Sequence, residues 1–450
     1  MIDSIQLANR TQRAGSIFAL LGLSGFILLL PFGRLSELAV LLCLISSAIY
    51  LSGYVTRQVW AKGLNGPAST AALACWAAVF AAALLSCFDS IDQSGSLTAT
   101  FASLRFVALI IAAAQLDATQ RLFLSKLVGV TVLVWCLDAL LQAATGVSLG
   151  GASNADRISG IFGDDNLKLG LIIASLAPIA LAAADHFDWK WLAGGRRLFA
   201  LGMVWSVIAT ATLLAGARAG WVMFALVSLF WGLRLSGYQM RKAGLGFLLA
   251  LVAVLGMATL LNATNSRFAQ RVERTMALFD ERTADFALAG RLPIWQTAAR
   301  MALAHPFNGV GVRAFRYAYP GFAQPDDPWV RPASGIDAVA GDAAPVNAAN
   351  GRAMGASHPH QLLLEILTET GLIGLLLWGL ALFISLRAWR RASTAKRVRA
   401  WPYGCALAVL IFPINTHTAL YSSFWAGVLW WLVAMLSANL DGADEAAVCA

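Results

Sequence analysis

The sequence predicts an all-α polytopic membrane protein with about twelve transmembrane helices and one long, mostly helical outer loop. Three observations predict it. The chain is 59% apolar and 13% charged, with mean hydropathy +0.68, and a water-soluble fold could not cover that much apolar surface. Its apolar runs are continuous rather than alternating, which excludes strands. Most approach the roughly 20 residues that a helix needs to cross about 30 Å of hydrocarbon. Its basic residues also gather in alternate connections, as the cytoplasmic bias of Lys and Arg requires.

Taken in order, the spans fall at 16–33, 36–55, 68–88, 97–116, 123–145, 166–184, 197–215, 219–235, 243–262, 362–386, 401–417 and 421–439. The first two are parted by little more than Gly33, Arg34 and Leu35, and the seventh and eighth by the turn around Arg218. With the N-terminus inside, the inner connections hold Arg10, Arg13, Arg57, Lys62, Arg121, Lys126, Lys190, Arg234 and the cations of 387–399. The short outer connections hold only Arg34, Arg157, Lys168 and Arg218. Both termini are therefore expected in the cytoplasm. The net charge of +9 reflects this topology rather than nucleic-acid binding. The first apolar run lacks a small-residue cleavage site and reads as an uncleaved anchor. The six cysteines lie in or beside spans or in the tail, with no CxxC spacing, so neither disulfides nor a structural zinc site is expected.

The expected organisation is an N-terminal bundle of five spans (1–145), a central region with a polar outer segment (146–262), a large outer loop (263–360), C-terminal spans (361–440) and an acidic cytoplasmic tail (441–450). In the bundle, Arg105 and Asp138 are intramembrane charges and read as a buried pair facing protein or water. In the outer loop, 266–286 has apolar residues at helical spacing with Arg and Glu between, an amphipathic helix suited to a membrane surface. Residues 291–304 form a second helix. The stretch 320–357, rich in Pro, Gly, Ala and Asp, reads as an irregular lid.

Chemistry concentrates on the outer side. His358 and His360 stand at the mouth of the tenth span, separated by Pro359, which suits a helix start. A neutral imidazole there can accept a hydroxyl proton near neutral pH. Every cation of the outer loop is an arginine: Arg267, Arg271, Arg274, Arg282, Arg291, Arg300, Arg313, Arg316, Arg331 and Arg352. The guanidinium fork matches phosphate bidentately, where lysine offers a point charge. Most of these arginines read as partners of Glu273, Asp280, Glu281 and Asp285 or of lipid headgroups. Two stand apart. Arg218 lies among small residues in LLAGARAGW, and Arg291 follows Ala289 and Gly290 to open a helix whose free amides also favour anions. A metal site on the histidines with Glu365 and Glu369 is disfavoured, because HxxxH spacing is absent. His305 and His417 read as helix-end groups. Asp164–Asp165 reads as loop capping and Asp326–Asp327 as part of the flexible stretch.

The segments RLPIWQTAARMALAHPFNGVGVRAFRYAYP and SHPHQLLLEILTETGLIG resemble the bacterial O-antigen ligase and polymerase superfamily. The family's His, small polar residue, nine positions and Gly-x-x-Gly are met by His360, Gln361, Gly371 and Gly374. Its arginine turn is matched by GARAG around Arg218, and its second arginine by Arg291. RISGIFGDDN, with Arg157, Gly160 and Asn166, resembles the outer loop before the sixth span. Two departures are Trp295, where an aliphatic residue is common, and Gln361, where asparagine is commoner.

The resemblance implies a GT-C-like, metal-independent, inverting glycosyltransferase of the inner membrane that needs no cofactor. Its donor would be O-antigen polysaccharide on undecaprenyl pyrophosphate, its acceptor a sugar of lipid A-core, and its site would face the periplasm. His360 would deprotonate the acceptor, while Arg218 and Arg291 would hold the pyrophosphate. Arg157, His358, Gln361 and Arg313 would bind substrate. The alternatives are an O-antigen polymerase or a protein O-oligosaccharyltransferase of the same superfamily. The absence of a further C-terminal domain leans toward the ligase. A lipid-linked glycan transporter is disfavoured because few charges lie near the span midplanes.

Overall fold

The computed structural model describes residues 2–55, 64, 66–152, 158–163, 166, 168–185, 196–237, 239–276, 290–330, 354–413 and 418–442. Among these residues the only strands are the two-residue arms of one hairpin, Val147–Ser148 with Gly151–Ala152. The helices are α1 (Ile2–Leu29), α2 (Ser36–Val55), α3 (Pro67–Ser86), α4 (Gln93–Ala102), α5 (Val107–Ala114), α6 (Ala118–Thr145), α7 (Lys168–Asp185) and α8 (Arg196–Leu214). They continue with α9 (Arg218–Leu235), α10 (Met240–Thr264), α11 (Ser266–Met276), α12 (Arg291–Ala304), α13 (Phe315–Phe322), α14 (Leu362–Arg391), α15 (Thr394–Leu410) and α16 (Ser423–Asp441).

The protein is a multi-pass membrane protein. Among the described residues, eight helical segments are long and apolar enough to cross a bilayer, against the twelve spans expected. The first of them, Gln12–Ser52, is 41 residues long because it is two passes. Phe32 and Gly33 (φ 63, ψ −117) leave the helix and turn the chain back, so α1 and α2 form a tight hairpin. Gly22 makes that closeness possible, since a Cβ there would lie 2.5 Å from the Cys43 Sγ. Two expected spans appear as shorter apolar helices, Leu198–Leu214 and Leu248–Thr264. The expected span 401–417 appears as α15, which starts earlier and carries Lys396, Arg397 and Arg399 in its first two turns.

Burial ranks the helices. α7 and α16 are buried along most of their length and lie centrally, whereas α14 is buried mainly between Leu362 and Gly374 and is more open beyond. The indole of Trp431 in α16 donates to the Leu23 carbonyl of α1 at 3.0 Å. At the far end of α16, the Asp441 carboxylate accepts from the Ala68 and Ser69 amides at 2.8 and 2.6 Å, filling the open donors at the start of α3.

The two intramembrane charges do not form a pair with each other. Arg105 sits in a 3-10 turn between α4 and α5 and binds Glu37 through two parallel contacts, Nε–Oε2 at 2.8 Å and Nη2–Oε1 at 2.9 Å. Asp138 instead accepts the Leu149 amide at 2.8 Å. Glu37 stands in the first turn of α2, which touches the 3-10 turn carrying Arg105, whereas Asp138 lies near the end of α6, where the chain folds back as the 147–152 hairpin.

Candidate active site

The mouth of α14 carries three of the candidate groups, His358, His360 and Gln361. Gln361 caps the helix, its Oε1 accepting the Leu364 amide at 2.5 Å while its Nε2 donates to the Pro413 carbonyl at 3.2 Å. Just before the cap, His360 has φ +54, a left-handed conformation that costs a residue with a Cβ about 1–3 kcal/mol. The preceding Pro359 and the following cap hold it there. The His358 and His360 rings lie 3.9 Å apart, tilted by 42°, so both imidazoles share one place. Ser357 Oγ lies 2.9 Å from His358 Nδ1.

Ten residues after the cap the helix breaks. Gly371 adopts φ 65, ψ −165 inside α14, and a Cβ on it would stand 2.1 Å from the Phe307 carbonyl oxygen. Only glycine admits the 306–311 backbone there. That backbone docks on the break through amide–carbonyl bonds: Leu372 to Pro306 (2.8 Å), Ile373 to Phe307 (3.2 Å), Val310 to Thr368 (2.7 Å) and Gly311 to Glu369 (3.1 Å). The motif's spacing thus has a structural meaning. About three helical turns separate the histidine at the helix mouth from the seat of a second loop.

The seated loop ends at Arg313, the second non-glycine residue with positive φ (+64) among the described residues. Its amide donates to Glu369 Oε2 at 2.8 Å. Glu365, one turn earlier and equally buried, accepts the Leu420 and Tyr421 amides at 3.2 and 3.5 Å. These two carboxylates therefore staple backbone from two other segments. Among the described residues, no three His, Cys, Asp or Glu side chains are grouped to hold a metal. Burial, and then the charge of Arg313, pushes the Arg316 guanidinium below its usual range. Two cations crowd here, a field that favours an anion.

Arg291 reaches the same neighbourhood through its helix. Gly290 (φ 68) caps α12 and its carbonyl accepts the Trp329 indole at 2.6 Å. Trp295, one turn beyond Arg291 on the same face, donates Nε1 to the Pro359 carbonyl at 3.1 Å. The face of α12 that carries Arg291 is thus the face that meets the histidine loop.

The other side of α12 packs a small core of Ile294, Met301, Phe315 and Tyr319. Asp327 lies under it, accepting from Tyr319 Oη at 2.9 Å and from the Trp329 amide at 2.9 Å. Hydrogen bonds of Asp327 thus hold the irregular stretch 323–330 against this core, at the start of the expected lid. A proline- and glycine-rich composition conceals a buried carboxylate that pins the turn. Gly355 is also tied down, its amide donating to the Arg316 carbonyl at 2.8 Å. The rest of the expected lid, 331–353, lies outside the described residues, as do Arg157, Asp164, Asp165, His417 and residues 277–286 of the expected amphipathic helix. His305 caps the end of α12 and meets the Phe322 ring edge-on at 5.8 Å.

Arg218 occupies a second cluster, as the first residue of α9 after the turn Ala215–Gly216–Ala217. Its small neighbours serve close packing. A Cβ on Gly220 would lie 3.0 Å from the Gly170 carbonyl oxygen of α7, and one on Gly170 would lie 2.9 Å from the Ala215 Cβ. Three residues on, Trp221 stacks against Phe268 of α11 at 5.9 Å, which brings the beginning of the outer loop over the arginine turn.

Sequence reasoning missed the contribution of the α3–α4 connection. Ser86 Oγ accepts the Val312 amide (3.2 Å), Ser96 Oγ donates to the Val312 carbonyl (2.8 Å), and the Ile91 amide donates to the Val310 carbonyl (3.1 Å). Beneath Arg313 a cavity of about 140 Å³ opens toward the spans, walled by Trp76, Phe80, Arg105, Trp378, Tyr421 and Trp430. A cation above aromatic walls suits a ligand with an anionic head and an apolar body. The short serines and backbone groups that build this wall carry no sequence motif. The signal available was the glycine spacing of 309 and 311, whose added Cβ atoms would collide with Glu369 and Ser90.

Residues 201–379 match the family model described as O-antigen ligase. The match runs from α8 into α14 and contains Arg218, Arg291, Arg313, His358, His360 and Gln361. No curated protein matches the chain.

Proposed function

We propose that this member of the O-antigen ligase superfamily, matched over residues 201–379, is itself an O-antigen ligase. It moves a polysaccharide from undecaprenyl pyrophosphate to a sugar hydroxyl of lipid A-core at the periplasmic face of the inner membrane. His360 takes the proton of the acceptor hydroxyl. The freed oxygen attacks the anomeric carbon, the bond from that carbon to the diphosphate breaks, and configuration inverts. Arg218 and Arg291 hold the departing diphosphate and offset the charge it gains. Arg313 and Arg157 extend that anion site, while His358 and Gln361 orient His360 and the acceptor. The pyrophosphate linkage is already activated, so no cofactor enters.

The observation that carries this reading is the joining of His360 to the Arg291 helix through Trp295 and Pro359. That bond supports a histidine on a left-handed backbone working together with a phosphate-matching guanidinium on the helix tied to it.

The deciding experiment supplies purified protein with an undecaprenyl-pyrophosphate glycan and three acceptors in separate reactions: lipid A-core, a growing glycan chain and pilin. Sugar on lipid A-core supports the ligase. Sugar on the glycan chain makes the protein a polymerase, and sugar on pilin makes it a protein O-oligosaccharyltransferase.

A further inference from the structure

Below the cavity under Arg313, and sharing Val79, Trp378, Leu429 and Trp430 with it, a second and larger cavity runs away from the histidine loop and is unused by the proposed reaction. It measures about 390 Å³, within the roughly 300–1,000 Å³ of ordinary ligand pockets. It lies between α3, α9, α14, α15 and α16, and one wall runs along the Trp378, Ala381, Ser385 and Trp389 face of α14. Leu382 and Leu386, also on its rim, remain half exposed, so it opens sideways toward lipid. Two of its polar wall atoms are engaged within the wall itself. Cys75 Sγ lies 3.1 Å from the Ala381 carbonyl and 3.2 Å from Ser385 Oγ. What remains is a lining suited to hydrocarbon.

Its rim is cationic. Residues 387–399 hold six cations (Arg387, Arg390, Arg391, Lys396, Arg397 and Arg399) and no carboxylate. Arg234, next to the wall residue Leu233, stacks over Trp401 at 4.9 Å and donates Nη1 to the Val398 carbonyl at 3.3 Å. Arg397 stands one turn before the wall residue Trp401 on the same face of α15. Its Nη2 donates to Thr394, but its Nε is buried without a hydrogen-bond partner among the described residues. A buried guanidinium N–H with nothing to donate to is an anion's place.

We propose that this groove binds an anionic phospholipid from the leaflet opposite the histidine site, one acyl chain in the groove and the phosphate on Arg397 and Arg234. Basic pockets between transmembrane helices recognise such headgroups by charge, at the membrane surface where tails can enter sideways. The site is distinct from the transfer reaction and stands whichever acceptor that reaction uses.

Native mass spectrometry of the purified full-length protein, titrated with phosphatidylglycerol or with phosphatidylcholine of the same chains, tests this. Phosphatidylglycerol should remain bound at lower lipid concentration than phosphatidylcholine. Arg397→Gln should weaken phosphatidylglycerol binding about fivefold, as loss of one cation near a headgroup implies, and Arg397→Lys should restore much of it. Ala408→Trp, from an exposed wall position, should block the groove without altering the melting curve. Equal retention of the two lipids overturns the proposal, as does undiminished phosphatidylglycerol binding by Ala408→Trp. Displacement of phosphatidylglycerol by undecaprenyl diphosphate would assign the groove to the donor and overturn it as well.

Discussion

The indole Nε1 of Trp295 donates to the carbonyl oxygen of Pro359 at 3.1 Å, so the helix that starts at Arg291 is fastened to the peptide between two histidines. An aliphatic residue at 295 could fill the same space but could not make this bond. Trp295→Phe removes the donor and keeps the ring. The variant should fold, as judged by its melting curve, yet lose about tenfold to a hundredfold in transfer rate, because small misplacements of reacting groups carry penalties of that order. An unchanged rate would show that the tether does not position the site.

Glu369 holds Arg313 by its main chain rather than by its guanidinium. Glu369→Gln retains an oxygen for the Arg313 amide and should stay close to wild type in stability. Glu369→Ala leaves a donor in a buried setting unpaired and should destabilise the protein by about 1–3 kcal/mol. It should also free Arg313 from its left-handed conformation and weaken donor binding. The check is denaturant unfolding together with KM for the donor. A Gln variant as damaged as the Ala variant would mean that the charge, not the hydrogen bond, is what Glu369 supplies.

Gly371 is demanded twice, by its positive φ and by the Phe307 carbonyl beside it. Gly371→Ala should unseat the 306–311 loop and cost at least the roughly 1–3 kcal/mol of a strained backbone. Gly379, in the same helix with open space around it, is the control: Gly379→Ala should be neutral or slightly stabilising. Thermal unfolding of the two variants side by side distinguishes local necessity from general sensitivity of α14.

The outline of the fold was readable because apolar length and helix punctuation are local properties. The α1–α2 hairpin at Gly33 and the helix at 291–304 appear where the spacing predicts them. Partners distant in sequence were not readable. Nothing in the pattern ties Arg105 to Glu37 rather than to Asp138, or buries Asp327 within a segment whose composition signals a lid. At the candidate site the motif residues were visible as types: two histidines, a capping glutamine and a pair of spaced glycines. Their purpose was not, because Gly371 matters through a loop some 60 residues earlier in the chain, and that loop rests on serines of α3 and α4. The contacts described also divide the arginines. Arg291 opens the helix tied to the histidine loop, Arg313 ends the loop seated at the Gly371 break, and Arg218 is fixed through α7 and α11.

That division makes Arg218 the natural test of whether a single diphosphate bridges both clusters. The most direct measurement compares wild type with His360→Ala, Arg218→Ala and Arg291→Ala in a purified transfer reaction from an undecaprenyl-pyrophosphate glycan to lipid A-core, with binding of undecaprenyl diphosphate measured in parallel. His360→Ala should abolish transfer and leave binding intact, while both arginine variants should lose transfer and weaken binding. Transfer that survives His360→Ala, or diphosphate binding indifferent to Arg218 and Arg291, would contradict the mechanism at its centre.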